Sequence, residues 1–132
     1  MKIKTSEATN TQINWLVAKC EGKESTLSVD GNGELFNLEA VDGEGMWMRY
    51  STNWTQGGPI IDREKIAMSS APDGLWAAYM PKGTQWLEHG GKTAEVFNWH
   101  FKQMGYTPLI AAMRCYVASK LGDEVEIPEE LT

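Results

Sequence analysis

Residues 107–122 constrain the fold of this chain more than any other segment. Thr107 is a typical N-cap, Pro108 suits the first helical position and Gly122 is a stop signal, so the pattern predicts a helix over residues 108–121. Apolar residues recur at helical spacing along this helix and form one stripe, which consists of Leu109, Ala112, Met113, Tyr116 and Val117. Because such a stripe must be buried against another element, the rest of the chain has to supply a surface for it.

A second helix is predicted near the start of the chain. Apolar residues recur at helical spacing over residues 7–21, and Gly22 follows as a stop signal. Thr5 or Ser6 would cap an early start of this helix, and Asn10 would cap a late one.

The remaining segments are short and are separated by turn signals. Alternating and apolar runs predict strands over residues 26–29, 35–38, 46–50, 67–69 and 75–80. Glycine and aspartate cluster in predicted turns at residues 30–33, 42–45 and 72–74. Residues 51–59 predict a loop that leads into a short helix beginning at Pro59. Residues 81–93 are polar and glycine-rich and predict a mobile excursion, whereas residues 94–104 fit either a strand or a helix.

This order of elements favours an α+β fold. A chain of 132 residues has the size of one domain with a single core. We expect an antiparallel β-sheet flanked by helices, an α-β-α sandwich, over residues 1–122. Residues 123–132 lack a periodic pattern and predict an acidic, extended C-terminal tail.

The charge of the chain is acidic and uneven. Twelve basic and 18 acidic residues give a net charge of −6. Five of the acidic residues lie within residues 123–132, which contain no base, so the remainder carries a net charge of −1. This balance argues against direct non-specific nucleic-acid binding, which needs basic side chains that displace counterions from phosphates. It still permits a local basic pocket on the body of the protein.

The cysteine spacing and the lengths of the apolar runs favour a location in the cytoplasm. Cys20 and Cys115 each lie in an apolar helical pattern and lack the spacing of a disulfide framework or a zinc ribbon. No signal-peptide core is visible, and no apolar run approaches the roughly 18 residues that span a bilayer. We therefore expect a cytoplasmic protein that has reduced thiols and no contact with a membrane.

The sequence contains no complete motif for catalysis or metal binding. Residues 90–93, Gly-Gly-Lys-Thr, resemble the end of a phosphate-binding loop, but Trp86 stands where that motif requires a glycine. His89 and His100 lack the spacing of a zinc ligand pair. A cysteine in an apolar helical stripe is usually inert as a nucleophile. The sequence therefore predicts a non-enzymatic protein without a cofactor or a metal ion.

Residues 50–59 combine the components of a site for a small anion or nucleotide. Gly57 and Gly58 would let backbone amides approach a ligand, and the helix predicted to follow would present N–H groups and a partial positive charge. Tyr50 and Trp54 offer aromatic faces on which a base can stack. The structural alternative is a capped strand-to-helix connection with Trp54 in the core.

A second helix start adds to this candidate site. Thr107 begins the last helix, and Arg114 is the only arginine on it. The structural alternative here is a plain N-cap with a solvent-exposed arginine. The predicted ligand-binding residues are Trp47, Arg49, Tyr50, Ser51, Thr52, Asn53, Trp54, Gln56, Gly57, Gly58, Arg63, Thr107 and Arg114.

Three blocks of the sequence carry a family resemblance. They cover residues 2–7 with 15–22, residues 50–64, and residues 107–125. The middle block, Tyr-Ser-Thr-Asn-Trp-Thr-Gln-Gly-Gly-Pro-Ile-Ile-Asp-Arg-Glu, is the most specific. Together they resemble the NinX-like family of small tailed-phage proteins, a family of unknown function. Residues 8–11 are more polar than the family pattern, and residues 81–93 match nothing in it.

The same blocks show a fold-level similarity to the phage "ABA sandwich" proteins, small domains with an antiparallel sheet between helices. Some phage anti-defence proteins that sequester cyclic nucleotide signals share this layout. The similarity implies ligand contacts near the middle loop and the last helix. It implies a non-enzymatic phage accessory protein, located in the host cytoplasm, that binds and sequesters a small nucleotide-derived signal.

Two alternatives stay open, one on the residues and one that the resemblance implies. The protein could act on a host or phage protein through an aromatic surface and the acidic tail, which could also contact a neighbouring subunit of a homo-oligomer. It could also be a DNA-transaction accessory, since NinX-like genes lie among phage recombination and late-control genes.

Overall fold

The structure is a computed structural model of the 132-residue chain, and it describes residues 1–23, 27–29, 35–37 and 46–132. Within these residues the chain forms three α-helices, α1 (Asn10–Cys20), α2 (Trp54–Glu64) and α3 (Pro108–Leu121). The strands are β1 (Lys2–Lys4), β2 (Leu27–Val29), β3 (Leu35–Asn37), β4 (Met46–Trp47), β5 (Ala67–Ser70), β6 (Trp76–His89), β7 (Lys92–Gly105) and β8 (Glu124–Glu126).

All strand pairings within the described residues are antiparallel. Strands β5, β6 and β7 form one sheet in that order, strands β2, β3 and β4 form a second, and β1 pairs with β8. These sheets together with the helices confirm the predicted α+β class.

Helix α3 lies at the centre of the core. It packs against β5, β6 and β7 and also against α1 and α2. Nine of its residues are buried, which extends burial well beyond the predicted stripe because α3 has neighbours on several sides. Its predicted bounds are confirmed, and the Thr107 hydroxyl accepts a hydrogen bond from the Ile110 amide at 3.1 Å.

Helix α1 begins three residues later than the predicted start at residue 7. Its N-cap is Thr9, whose hydroxyl accepts a hydrogen bond from the Gln12 amide at 3.3 Å, while the Gln12 side chain accepts one from the Thr9 amide at 2.9 Å. This reciprocal capping satisfies two N–H groups at once. None of the three residues predicted as caps takes this role, and Thr5–Glu7 forms a separate 3-10 turn.

Helix α2 begins at Trp54, well before the predicted start at Pro59. Asn53 is its N-cap, and the Asn53 Oδ1 atom accepts a hydrogen bond from the Thr55 amide at 2.8 Å. Two glycines and a proline therefore lie inside the helix despite their low helix propensity. The prediction was wrong because it interpreted Gly57 as part of a loop, whereas this glycine permits close packing against α3.

Strands β6 and β7 form a long hairpin across the segment predicted as a mobile excursion. The strands pair out to His89 and Lys92, and Gly90 and Gly91 connect them with φ angles of +59° and +79°. Two successive positive φ angles are typical of a type I′ hairpin turn. The excursion prediction is therefore wrong, and the segment that fitted either a strand or a helix is a strand. The polar composition of residues 81–93 gave no strand signal, whereas the turn at Gly90 and Gly91 allows β6 and β7 to pair.

The predicted strands between α1 and α2 are present in part. Strand β4 ends at Trp47, short of the predicted range 46–50, because the carbonyl of Arg49 already accepts hydrogen bonds from the turn that leads into α2. The predicted turns at residues 30–33 and 42–45 lie outside the described residues.

The C-terminal segment contributes to the core. Within residues 123–132, predicted as an extended tail, β8 pairs with β1 and places Ile3 opposite Val125. Val125 and Ile127 are each 4% exposed and belong to the same apolar cluster as the helices. The acidic side chains alternate with them and stay exposed, as expected for a strand with one buried face.

Candidate ligand-binding cleft

An open cleft of about 550 Å³ lies beside the end of β4 and the first turns of α2, and we call it the β4–α2 cleft. Six of the predicted residues line it, namely Trp47, Arg49, Tyr50, Asn53, Gln56 and Arg63. Five residues outside the predicted ligand-binding set complete the lining, namely Glu21, Lys23, Thr55, Pro59 and Ile60. Glu21 and Lys23 follow α1 and are distant in sequence, so no local pattern links them to this site.

Gln56 fixes one wall of the cleft. Its Oε1 atom accepts a hydrogen bond from the Arg49 amide at 2.7 Å, and its Nε2 atom donates one to the Trp47 carbonyl at 2.7 Å. This two-point contact holds the backbone that follows β4 against the first turn of α2. Gln56 therefore positions Trp47 and Arg49 through their backbone.

Trp47 and Arg49 form an accessible aromatic and cationic pair. The guanidinium carbon of Arg49 lies 5.6 Å from the centroid of the Trp47 ring, within the range of a cation–π contact, and Trp47 is 38% exposed. Tyr50, in contrast, is buried, and burial together with the charge of Glu21 raises its pKa to about 12. Trp47 therefore offers an aromatic face to solvent, and Tyr50 forms part of the cleft wall.

Arg63 is the centre of an ion network at the other end of the cleft. Its Nη1 and Nη2 atoms donate to Glu21 Oε1 and Oε2 at 3.0 and 2.9 Å, and its Nε atom donates to Glu64 Oε2 at 3.0 Å. The Tyr116 hydroxyl donates to Glu21 Oε2 at 2.7 Å, and Lys120 lies 3.3 Å from Glu64. The network joins the C-terminal ends of α1 and α2 to α3.

This network stabilises the charged forms of Glu21 and Arg63 and the neutral form of Tyr116. Burial works to raise the pKa of Glu21, but hydrogen bonds from Arg63 and Tyr116 outweigh it and hold the pKa below its ordinary value. Hydrogen bonds to Glu21 and Glu64 raise the pKa of Arg63. Burial, and then the hydrogen bond to Glu21, raises the pKa of Tyr116. Glu21 and Arg63 are therefore both charged near neutral pH.

The described lining of the cleft is rich in basic side chains, although the chain as a whole is acidic. Among the residues that the structure describes, three basic side chains, Lys23, Arg49 and Arg63, line it together with one carboxylate, that of Glu21. The net charge of the whole chain is −6. Basic side chains thus outnumber carboxylates in the described part of the lining, which favours an anionic group there.

The structure places the other residues predicted around α2 outside the cleft lining. Ser51 is buried, and its hydroxyl and amide both donate to Asn14 Oδ1, at 2.8 and 2.9 Å, which ties the turn to α1. Thr52 is exposed. Trp54 is 53% exposed, so the alternative that placed it in the core is wrong.

The backbone amides at the start of α2 are engaged within the helix. The amides of Gln56 and Gly57 donate to the Asn53 carbonyl at 3.1 and 3.0 Å, and the Thr55 amide donates to the Asn53 side chain. Gly57 is buried, and Gly58 lies within the helix. The prediction that glycine amides at a helix start approach a ligand is therefore wrong, because the helix starts earlier and caps itself.

The second predicted helix start lies apart from the β4–α2 cleft. Arg114 donates from Nη1 to the Met104 carbonyl at 2.8 Å and from Nη2 to the Ala8 carbonyl at 2.9 Å. Burial lowers the pKa of Arg114, and its half-buried position contradicts the alternative of a solvent-exposed arginine. Arg114 lines a separate groove of about 360 Å³ beside Tyr106, and Thr107 caps α3.

These features define a small α+β protein with a cleft, beside β4 and α2, whose described lining is aromatic and rich in basic side chains. The family described as "Bacteriophage P22, NinX" matches residues 4–120, so the chain belongs to this family of phage proteins. The match includes every residue that lines the β4–α2 cleft. A comparison with curated proteins gave no significant match.

Two further observations concern the described residues only. None of their helices combines the length and the apolar character needed to cross a membrane. Nor do they bring three or more His, Cys, Asp or Glu side chains together in a way that could hold a metal ion.

Proposed function

We propose that this protein binds a small nucleotide-derived ligand in the β4–α2 cleft. The observation that carries the proposal is the accessible Trp47 ring beside the Arg49 guanidinium, in a cleft whose described lining also includes Lys23 and Arg63. A base can stack on the indole, and a phosphate can bind the guanidinium groups. The volume of about 550 Å³ lies within the roughly 300–1,000 Å³ that is typical of small-molecule sites.

Glu21 and Tyr50, two ionisable groups of the cleft, are poorly suited to proton transfer, which favours binding without chemical conversion. A general acid or base works best with a pKa close to the working pH. The pKa of Glu21 lies below its ordinary value, and that of Tyr50 is about 12, so neither exchanges a proton readily near neutral pH. We therefore propose a ligand-binding protein that is not an enzyme.

A phage protein that holds a nucleotide without converting it lowers the concentration of free ligand in the infected cell. We therefore propose that the ligand is a nucleotide-derived signal and that its sequestration is the purpose of binding. Membership of a phage family supports the setting of this proposal, and the cleft supports its chemistry.

A thermal-shift screen tests the proposal with cyclic nucleotides and ADP-ribose derivatives. A ligand present at 100 times its Kd stabilises the folded state by about 2.7 kcal/mol, so a binder should raise the Tm by several degrees. The matched variants are Trp47→Ala, which removes the ring from the cleft, and Trp54→Ala, which removes an exposed indole outside it.

We expect the shift to disappear in Trp47→Ala and to persist in Trp54→Ala. The proposal fails if no nucleotide raises the Tm of the wild-type protein. It also fails if both variants respond to the nucleotide as the wild type does, because binding would then lie elsewhere.

A further inference from the structure

We infer that Glu21 competes internally with the phosphate of the ligand, and that an anionic ligand binds by displacing the Glu21 carboxylate from the guanidinium of Arg63. The inference rests on the proposed function and adds a mechanism that regulates the same site. It follows from four observations on the contacts, exposure, anchoring and backbone position of this ion pair.

The first observation is the geometry of the contact. Two parallel hydrogen bonds join Arg63 to Glu21, from Nη1 to Oε1 at 3.0 Å and from Nη2 to Oε2 at 2.9 Å. Arginine binds a phosphate through the same pair of N–H groups and with the same two-point geometry. The carboxylate therefore occupies the part of Arg63 that a phosphate would use.

The second observation is the accessibility of the pair. Both residues line the β4–α2 cleft, and the Arg63 side chain is 51% exposed whereas that of Glu21 is 17% exposed. A ligand in the cleft can therefore reach the guanidinium. Exchange of one anion for another also leaves Arg63 paired throughout, so the guanidinium itself never becomes an uncompensated charge.

The third observation is a separate anchor for Arg63. Its Nε atom donates to Glu64 Oε2 at 3.0 Å, and Glu64 is held in turn by Lys120 at 3.3 Å. Glu64 does not line the cleft. Its Nη2 atom also donates to the Tyr116 hydroxyl at 3.2 Å. The guanidinium therefore keeps its position when the Glu21 carboxylate leaves, and the Nη positions that Glu21 held become open to the cleft at a fixed place.

The fourth observation concerns the position of Glu21 itself. It is the C-cap residue of α1, where the negative end of the helix dipole disfavours a carboxylate. Its charge is stabilised by the contacts to Arg63 and Tyr116. The Tyr116 hydroxyl donates to Glu21 at 2.7 Å and can continue to do so after the carboxylate has separated from Arg63.

Isothermal titration of AMP and adenosine into matched variants tests the inference. Glu21→Gln removes the competing charge and nearly preserves the shape of the side chain. Glu64→Gln also removes one carboxylate from Arg63, but from Nε and outside the cleft. We expect Glu21→Gln to bind AMP about tenfold more tightly than the wild type, a change of about 1.4 kcal/mol, with unchanged affinity for adenosine. Glu64→Gln should show no such gain.

Several results would overturn the inference. One is an unchanged AMP affinity in Glu21→Gln, and another is an equal gain for AMP and adenosine, which would indicate a general loosening of the cleft. In either case AMP binding that is lost in Trp47→Ala would leave the proposed function standing. If the wild type and Glu21→Gln both fail to bind AMP and adenosine, the inference fails, whereas the proposed function is then decided by the thermal-shift screen.

A measurement on the wild-type chain avoids any dependence on the folding of Glu21→Gln. The ¹³C resonance of the Glu21 carboxyl group should move when AMP is added to saturation, because that group loses its contact with Arg63. A Glu21 resonance that stays in place while AMP binds would overturn the inference.

Discussion

Gly57 of α2 lies directly against Leu109 of α3. A Cβ atom on Gly57 would stand 2.6 Å from Leu109 Cδ1 and 2.5 Å from the carbonyl oxygen of Tyr50, distances that side chains do not tolerate. At Gly58 a Cβ atom would meet only Trp54 Cε3, at 3.9 Å. Gly57 is therefore required by helix packing, whereas the surroundings of Gly58 have room for a side chain.

This contrast gives the first prediction. Gly57→Ala should lower the free energy of unfolding by about 1–3 kcal/mol, because the backbone at Tyr50 and the side chain of Leu109 must both shift. Gly58→Ala should raise it by up to about 1 kcal/mol, the gain in helix propensity. Urea denaturation measures both, and equal effects in the two variants would contradict the packing of α2 on α3.

The second prediction concerns the hydroxyl of Tyr116. Tyr116→Phe removes a hydrogen bond to an ionised carboxylate and should cost about 1–3 kcal/mol of stability. Tyr106→Phe is the control, since Tyr106 is 78% exposed at the start of the α3 segment and should change stability by less than about 0.5 kcal/mol. Chemical denaturation of both variants checks the prediction, and an unaffected Tyr116→Phe would contradict the described ion network.

The third prediction is a pH dependence. Although burial works to raise it, the pKa of Glu21 in the folded protein lies below its ordinary value of 4.5, because Arg63 and Tyr116 hydrogen-bond to the carboxylate. The unfolded chain therefore binds the proton more tightly, and the stability that Glu21 contributes is present above about pH 4.5 and lost as the pH falls through the lowered value.

Melting curves recorded between about pH 7 and pH 3 test this dependence. The Tm of the wild type should fall more steeply below about pH 4.5 than that of Glu21→Gln, which has no carboxylate to protonate. Parallel curves for the two proteins would show that Glu21 does not contribute in this way.

The fourth prediction concerns the thiols. Burial raises the pKa of Cys115 to about 12, and burial together with the charge of Glu21 raises that of Cys20 to about 11. Both should therefore stay protonated near about pH 8 and react slowly with Ellman's reagent until the protein is unfolded. Rapid reaction of either thiol in the native protein would contradict the prediction.

Local signals determined which helix boundaries the sequence could predict. The bounds of α3 were predictable because Thr107, Pro108 and Gly122 act on their own neighbours. The start of α2 was not predictable, because Pro59 carries the stronger local signal for a helix start although Asn53 supplies the cap. The need for glycine at position 57 arises only from the packing of α2 against α3. The β6–β7 hairpin was missed because its pairing follows from Gly90 and Gly91 rather than from an apolar pattern.

The residues of the candidate site were predictable where they cluster in the sequence and not where packing brings them together. The sequence identified Trp47, Arg49 and Arg63 because aromatic and cationic residues cluster around one segment. It could not identify Glu21, which lies 42 positions from Arg63 in the chain and meets it only through the packing of α1 and α2. Nor could it show that Gln56 contacts backbone atoms, since that depends on where β4 ends.

An NMR titration of the protein with the nucleotides of the screen tests the central claim most directly. In a sample with ¹⁵N-labelled indoles, a nucleotide that binds in the β4–α2 cleft should shift the Trp47 indole signal and leave that of Trp54, which lies outside the lining, nearly in place. A nucleotide that binds without moving the Trp47 signal, or a complete panel that moves no signal, would contradict nucleotide binding in this cleft.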